Sequence, residues 1–143
     1  NLGPDPFSPD ANARTMKSKA KNCRSPIKTF IMDAKRITGI GNIYACESLY
    51  HSGINPKRKA GRITLAEWDR LLSNVRTTLE NSILAGGTTL RDFFDPNGAK
   101  GYYAVKLSVY GKEGEPCPKC KSPIARMIHS GRSTFFCKTC QPH

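Results

Sequence analysis

Ser25-Pro26-Ile27-Lys28-Thr29-Phe30-Ile31-Met32-Asp33 and, after a short connection, Gly39-Ile40-Gly41-Asn42-Ile43-Tyr44-Ala45-Cys46-Glu47 decide the fold. Ser25 suits an N-cap and Pro26 the first helical position, where its missing N–H would have no intrahelical partner. Ile27, Phe30, Ile31, Ala34 and Ile37 recur at helical spacing, which predicts a helix with one face in the core and its lysines elsewhere. That helix should stop near Thr38, because Gly39 and Gly41 are free to adopt positive φ, and Asn42 can cap a second helix running to Gly53. The unit is a helix, a tight turn and a helix. Ile43, Cys46, Leu49 and Tyr50 give the second helix an apolar side, so Cys46 reads as a small buried hydrophobe. Cys23, among charges, is assigned no role.

Downstream, Lys57-Arg58-Lys59-Ala60-Gly61-Arg62 is a basic loop leading into Thr64-Leu65-Ala66-Glu67. This is a capping box, in which the Thr and Glu side chains satisfy the first free N–H groups of a helix. Leu65, Trp68, Leu72, Val75, Leu79 and Ile83 then step by three and four, predicting the longest helix, closed by Gly86-Gly87. On that stripe Trp68 is expected in the core rather than as a stacking platform for a base. Thr88 to Phe94 could add one turn, Asp95 to Gly101 carries every loop signal, and Tyr102 to Tyr110 alternates weakly as an extended segment.

Of the six cysteines, Cys117, Cys120, Cys137 and Cys140 form two Cys-x-x-Cys pairs separated by sixteen residues. Four thiolates at this spacing are the donor set of one closed, structural Zn²⁺, and with every position filled by sulfur no site remains for a reactive water. Ile124 to His129 and Arg132 to Phe136 read as two strands joined at Ser130-Gly131, so the metal would pin the open end of a β-hairpin. A module this short has little core of its own, and metal binding should supply much of its folding free energy. His129 is expected on the hairpin rather than on the metal. Arg132, beside the turn, is either ordinary surface charge or a guanidinium placed to fork onto a phosphate.

The 143 residues carry 23 Lys plus Arg against 11 Asp plus Glu, a net charge of +12. A chain of this size buries roughly two thirds of its unfolded surface, which excludes two large domains. The stretch from Arg14 to Arg36 has eight basic residues and one acidic one. Nucleic acid is the expected partner, with a basic ribosomal or chaperone-type surface as the alternative. No run approaches the roughly 20 apolar residues of a membrane span, and the opening Asn1-Leu2-Gly3-Pro4-Asp5-Pro6 has no charged-then-apolar leader pattern. The expectation is a soluble, cytoplasmic chain with no membrane partner, cut from a longer protein, with post-translational trimming as the alternative. The fold class expected is mainly α with a small β appendage, divided into residues 1–104 and 105–143.

Together, Ile27 to Asp33, Gly39 to Glu47 and the cysteine module with Gly131-Arg132-Ser133-Thr134-Phe135-Phe136-Cys137 resemble the C-terminal half of formamidopyrimidine-DNA glycosylase and, more distantly, endonuclease VIII. Leu2 to Pro6 and Gly86 to Phe93 add to the resemblance, which runs in order from Leu2 to Gln141. It implies a helix-two-turn-helix DNA-binding domain followed by a β-hairpin zinc finger with four cysteine ligands, forming one wall of a DNA cleft, in a monomeric, nucleoid-associated bacterial enzyme of base excision repair. It implies that Asn42 and Lys28 hold phosphates flanking the lesion, with Gly41 and Arg24 in the same DNA-binding set. Arg132 would contact DNA beside the damaged site and donate a proton in δ-elimination. The lesion-capping loop falls at about Thr88 to Tyr103, with Ala99-Lys100-Gly101 where many relatives have Lys-Pro-Gly.

The resemblance also implies that the parent protein is a bifunctional enzyme, a glycosylase for 8-oxoguanine and formamidopyrimidines and an abasic-site lyase. Its imine chemistry needs an N-terminal proline amine and an adjacent glutamate, which Asn1 cannot replace, so these residues alone are expected to bind damaged double-stranded DNA without glycosylase activity. The competing expectations are a non-enzymatic zinc-containing nucleic-acid-binding module and a zinc-stabilised protein-interaction domain.

Overall fold

The computed structural model describes residues 1–84 and 106–143. Helices α1 (Ala13–Lys19), α2 (Ile27–Met32), α3 (Asn42–Ser52) and α4 (Leu65–Leu84), with a single 3-10 turn at Ala60–Arg62 before α4, precede an antiparallel hairpin of β1 (Ala125–His129) and β2 (Arg132–Phe136). The mainly α fold with a β appendage is as the sequence implies. The glycine stop after α4, the 88–103 loop and the boundary between 104 and 105 lie outside the described residues. Among those described, no helix is long and apolar enough to cross a membrane.

The capping box forms as read: the Glu67 N–H donates to Thr64 Oγ1 at 3.1 Å and the Thr64 N–H to Glu67 Oε1 at 3.0 Å. From that start α4 lays Trp68, Leu71, Leu72 and Val75 into the core, and the Phe30 ring meets the fully buried Trp68 edge-on. Leu65, read as part of the stripe, is 44% exposed on the first turn.

Three features of the helical part differ from the sequence reading. First, α2 begins at Ile27, with Pro26 rather than Ser25 in the capping position, and ends at Met32 instead of near Thr38. The N-terminal segment takes the hydrogen bonds that a longer helix would use: the Gly3 N–H donates to the Ala34 carbonyl at 2.8 Å and the Thr38 N–H to the Pro4 carbonyl at 3.0 Å. A Cβ on Gly3 would lie 2.3 Å from the Arg36 carbonyl carbon, so only glycine allows this approach. Ile37 and Ile40 still reach the core, delivered by turns. Second, α1 was not read from the sequence; Asn12 caps it by accepting from the Thr15 N–H at 2.9 Å. Third, Gly41, not Asn42, caps α3, which ends as expected with Gly53 at φ 71°.

Helix α3 separates two cores. Ala45 and Leu49 face the helical core, whereas the residues beside them, Cys46 and Tyr50, join Val109, Ile124 and Phe135 in a second cluster with the finger cysteines. The zinc module therefore does not build its core alone, because α3 lends it one wall. Lys106 to Tyr110, whose sequence alternates as an extended segment would, form no strand; their backbone instead turns around a carboxylate of α3.

Candidate nucleic-acid interface and metal centre

The Sγ atoms of Cys117, Cys120, Cys137 and Cys140 all lie within 4.8 Å of one another. A tetrahedral ion about 2.3 Å from each sulfur sets neighbouring sulfurs about 3.8 Å apart. The Cys117–Cys140 and Cys120–Cys137 pairs measure 3.8 and 3.4 Å. The Lys119 and Cys140 N–H groups each point at a sulfur at 3.4 Å, a donor pattern that supports thiolate charge. These residues fit one structural Zn²⁺, which would clamp the two Cys-x-x-Cys turns together. Tyr50 Oη lies 3.0 Å from Cys117 Sγ, bringing α3 against the cluster. His129 stands apart, with Nε2 2.9 Å from Thr29 Oγ1 on α2.

The hairpin is staggered so that His129 pairs with Arg132, and Ser130 and Gly131 turn the chain with φ of 51° and 76°. That tip lies against the two helices read from the sequence. Asn42 Nδ2 donates to the Ser133 carbonyl at 3.0 Å, and Lys28 Nζ donates to Thr134 Oγ1 at 2.5 Å. Lys28, expected away from the core, is 1% exposed. Its ammonium has found a finger hydroxyl, and burial, followed by the nearby Arg132 charge, pulls its pKa down while Cys46 opposes.

Two grooves meet at Arg132. One, about 350 Å³, is lined by Lys28, Thr29, His129 and Arg132; the other, about 440 Å³, by Gly41, Asn42, Tyr110 and Arg132. In the second, the first N–H groups of α3 have no partner one turn earlier and carry the positive end of the helix dipole. In the first, burial, with the charges of Lys28 and Lys57, pulls the His129 pKa below its usual range. The structure thus brings together Lys28, Gly41, Asn42 and Arg132. Arg24 does not join them: it is exposed before α2 and lines neither groove. Cys23, given no role, lies 3.4 Å from Arg36 Nη1.

Sequence reading missed Glu47. It is 1% exposed, and its carboxylate accepts the Ser108, Val109 and Tyr110 N–H groups at 2.8, 2.9 and 2.9 Å. A charge on the helix that also carries Asn42 therefore anchors the backbone bearing Tyr110, a residue of the second groove. Only its place on the apolar side of α3, beside Cys46, could have signalled this.

Residues 2–94 match the family described as the formamidopyrimidine-DNA glycosylase H2TH domain, and residues 114–142 the zinc finger found in FPG and IleRS. The formamidopyrimidine-DNA glycosylase of Acidithiobacillus ferrooxidans is 47% identical over 141 residues, covering 99% of this chain and 52% of that protein. That of Yersinia pseudotuberculosis is 48% identical with the same coverage. The chain thus spans about half the length of the curated relatives it matches. Among solved structures, the MutM (Fpg) protein of Thermus thermophilus superposes with TM-score 0.85 at 37% identity, over 98% of this chain and 53% of that one. The Lactococcus lactis enzyme, non-covalently bound to DNA containing an abasic site, superposes with TM-score 0.85 at 27% identity, over 99% and 51%. With a helix-two-turn-helix unit and a four-cysteine finger placed as in these proteins, the chain belongs to the formamidopyrimidine-DNA glycosylase family.

Proposed function

We propose that these residues are the DNA-gripping half of a bifunctional DNA glycosylase and abasic-site lyase that removes oxidised purines, 8-oxoguanine and formamidopyrimidines, in bacterial base excision repair. The observation that carries this reading is the meeting of Asn42, Lys28 and Arg132 along two grooves that share Arg132. The partner is damaged double-stranded DNA, held by a monomer in the cytoplasm at the nucleoid. Residues 1–104 supply the helical grip and 105–143 the finger.

In this reading the strand lies across the N-terminus of α3. A phosphate accepts from the free backbone N–H groups there and from the remaining Nδ2 hydrogen of Asn42. Gly41 keeps that approach open, since nothing lies within 4 Å of where its Cβ would be. Lys28 contributes charge from beneath the groove rather than a solvated contact, and shifts toward a phosphate only by releasing Thr134. Arg132 reaches the strand beside the lesion and serves the δ-elimination step. Arg24, outside both grooves, would meet only flanking phosphate. The structural Zn²⁺ supplies folding energy and hairpin stiffness. The imine-forming amine belongs to the other half of a protein of the relatives' length.

Two assays test this. The zinc-loaded chain should bind an abasic duplex more tightly than an intact one and form no covalent adduct when borohydride is added. A strong borohydride adduct, or equal affinity for the two duplexes, overturns it.

A further inference from the structure

The basic loop between α3 and α4 is fixed on both sides. Toward α2, the Ile27 N–H donates to the Arg58 carbonyl at 2.6 Å, the Ala60 N–H to the Ser25 carbonyl at 2.8 Å and the Gly61 N–H to the Cys23 carbonyl at 2.9 Å. Toward the finger, Asn55 Nδ2 donates to the Gln141 carbonyl and Gln141 Nε2 to the Ile54 carbonyl, both at 2.9 Å. The backbone bearing Lys57, Lys59 and Arg62 is thereby held between the start of α2, the helix that carries Lys28, and Gln141 at the end of the finger that carries Arg132.

These three side chains are exposed, and with Arg58 and His143 they line a cleft of about 650 Å³. Arg58 is already neutralised, forked onto both carboxylate oxygens of Glu67. Among the described residues, no carboxylate lies within 4.0 Å of Lys57, Lys59 or Arg62. Three like charges within six residues on a fixed backbone repel one another, and a regularly spaced polyanion relieves that repulsion. Lys57 also lies near enough to His129, in the groove, for its charge to add to burial and the Lys28 charge in lowering that ring's pKa.

We propose that Lys57, Lys59 and Arg62 form a second phosphate-binding track that extends the Lys28, His129 and Arg132 groove and holds the backbone of the same duplex away from the lesion. This rests on the DNA-binding reading above and adds which flank of the duplex the chain covers. The track reads charge and spacing and carries no base preference.

The test is the salt dependence of binding to intact and abasic duplexes, compared among the wild type, a Lys57→Gln, Lys59→Gln, Arg62→Gln variant and a control with Lys19, Lys21 and Lys138 changed to Gln. Each lost phosphate contact lowers the slope of log affinity against log salt by about 0.9. The track variant should lose about 2 or more, weaken both duplexes by the same factor and keep any abasic preference; the control should lose less than half as much. An unchanged slope, or an equal loss in the control, overturns the track. Absence of abasic preference in the wild type, with the slope loss intact, instead sinks the repair-enzyme reading and leaves the track standing. Zinc content and melting temperature at wild-type levels verify that the variants fold.

Discussion

The Asn42 side-chain amide donates to the main-chain carbonyl of Ser133 at 3.0 Å, so the first residue of α3 is bonded to the second residue of β2. The bond sets the helix N-terminus beside Arg132, the immediate neighbour of Ser133. Asn42→Ala removes it and leaves a partly buried carbonyl without that donor. The expected loss is about 1 kcal/mol of stability, or a few degrees of melting temperature, with a weakening of abasic-duplex binding larger than that stability loss explains. Calorimetry alongside fluorescence anisotropy reads both, and binding that stays at the wild-type level contradicts a phosphate contact at Asn42.

Glu47 is a buried carboxylate that accepts from three backbone donors. Replacing it with alanine strands those N–H groups in a low-dielectric site and should cost about 2–4 kcal/mol. Glu80→Ala, on an exposed position of α4, should stay within about 0.5 kcal/mol. Urea titration of the pair checks this; similar midpoints would mean that Glu47 does not anchor Ser108 to Tyr110.

What the sequence made legible was local. Thr64 and Glu67 cap a helix whatever surrounds them, two Cys-x-x-Cys pairs imply one metal, and Ser130-Gly131 can only turn. What escaped it depends on partners distant along the chain. The end of α2 at Met32 is set by pairing with Gly3 and Pro4, the burial of Lys28 by a threonine 106 positions away, and the role of Glu47 by three N–H groups more than 60 residues on. Side-chain periodicity carries no record of such partners. The family resemblance marked Lys28 and Asn42, and the structure adds that both are bonded to the finger.

Glu67 gives the stability a pH signature. The Arg58 guanidinium, helped by the Thr64 N–H and opposed by burial, holds its carboxyl down at about 2, against 4.5 for the free group. A depressed carboxylate stabilises the fold fully above about pH 4.5, and that contribution disappears as pH falls through about 2. With the side chain 19% exposed, it amounts to about 1–3 kcal/mol. Glu67→Gln should therefore flatten the stability curve between pH 5 and 2, measured by chemical denaturation. A curve parallel to wild type contradicts the Arg58 pairing.

Metal removal should affect more than the finger. Because Cys46 and Tyr50 of α3 share a core with Phe135 and Cys137, chelation should release the hairpin and bare that face of α3, while α1 and α4 keep their helical signal. Hydrogen exchange should show protection lost across residues 125–136 and retained in α4. Hairpin amides still protected after chelation would show that the cysteines do not depend on metal.

The shared grip is tested most directly by competing an abasic duplex against an intact one for the zinc-loaded chain. The expected result is a preference for the abasic duplex of about tenfold or more, equivalent to about 1.4 kcal/mol, that collapses with either Asn42→Ala or Arg132→Ala. Equal affinity for the two duplexes, or a preference that survives both substitutions, contradicts a single strand-holding surface built jointly by the helices and the finger.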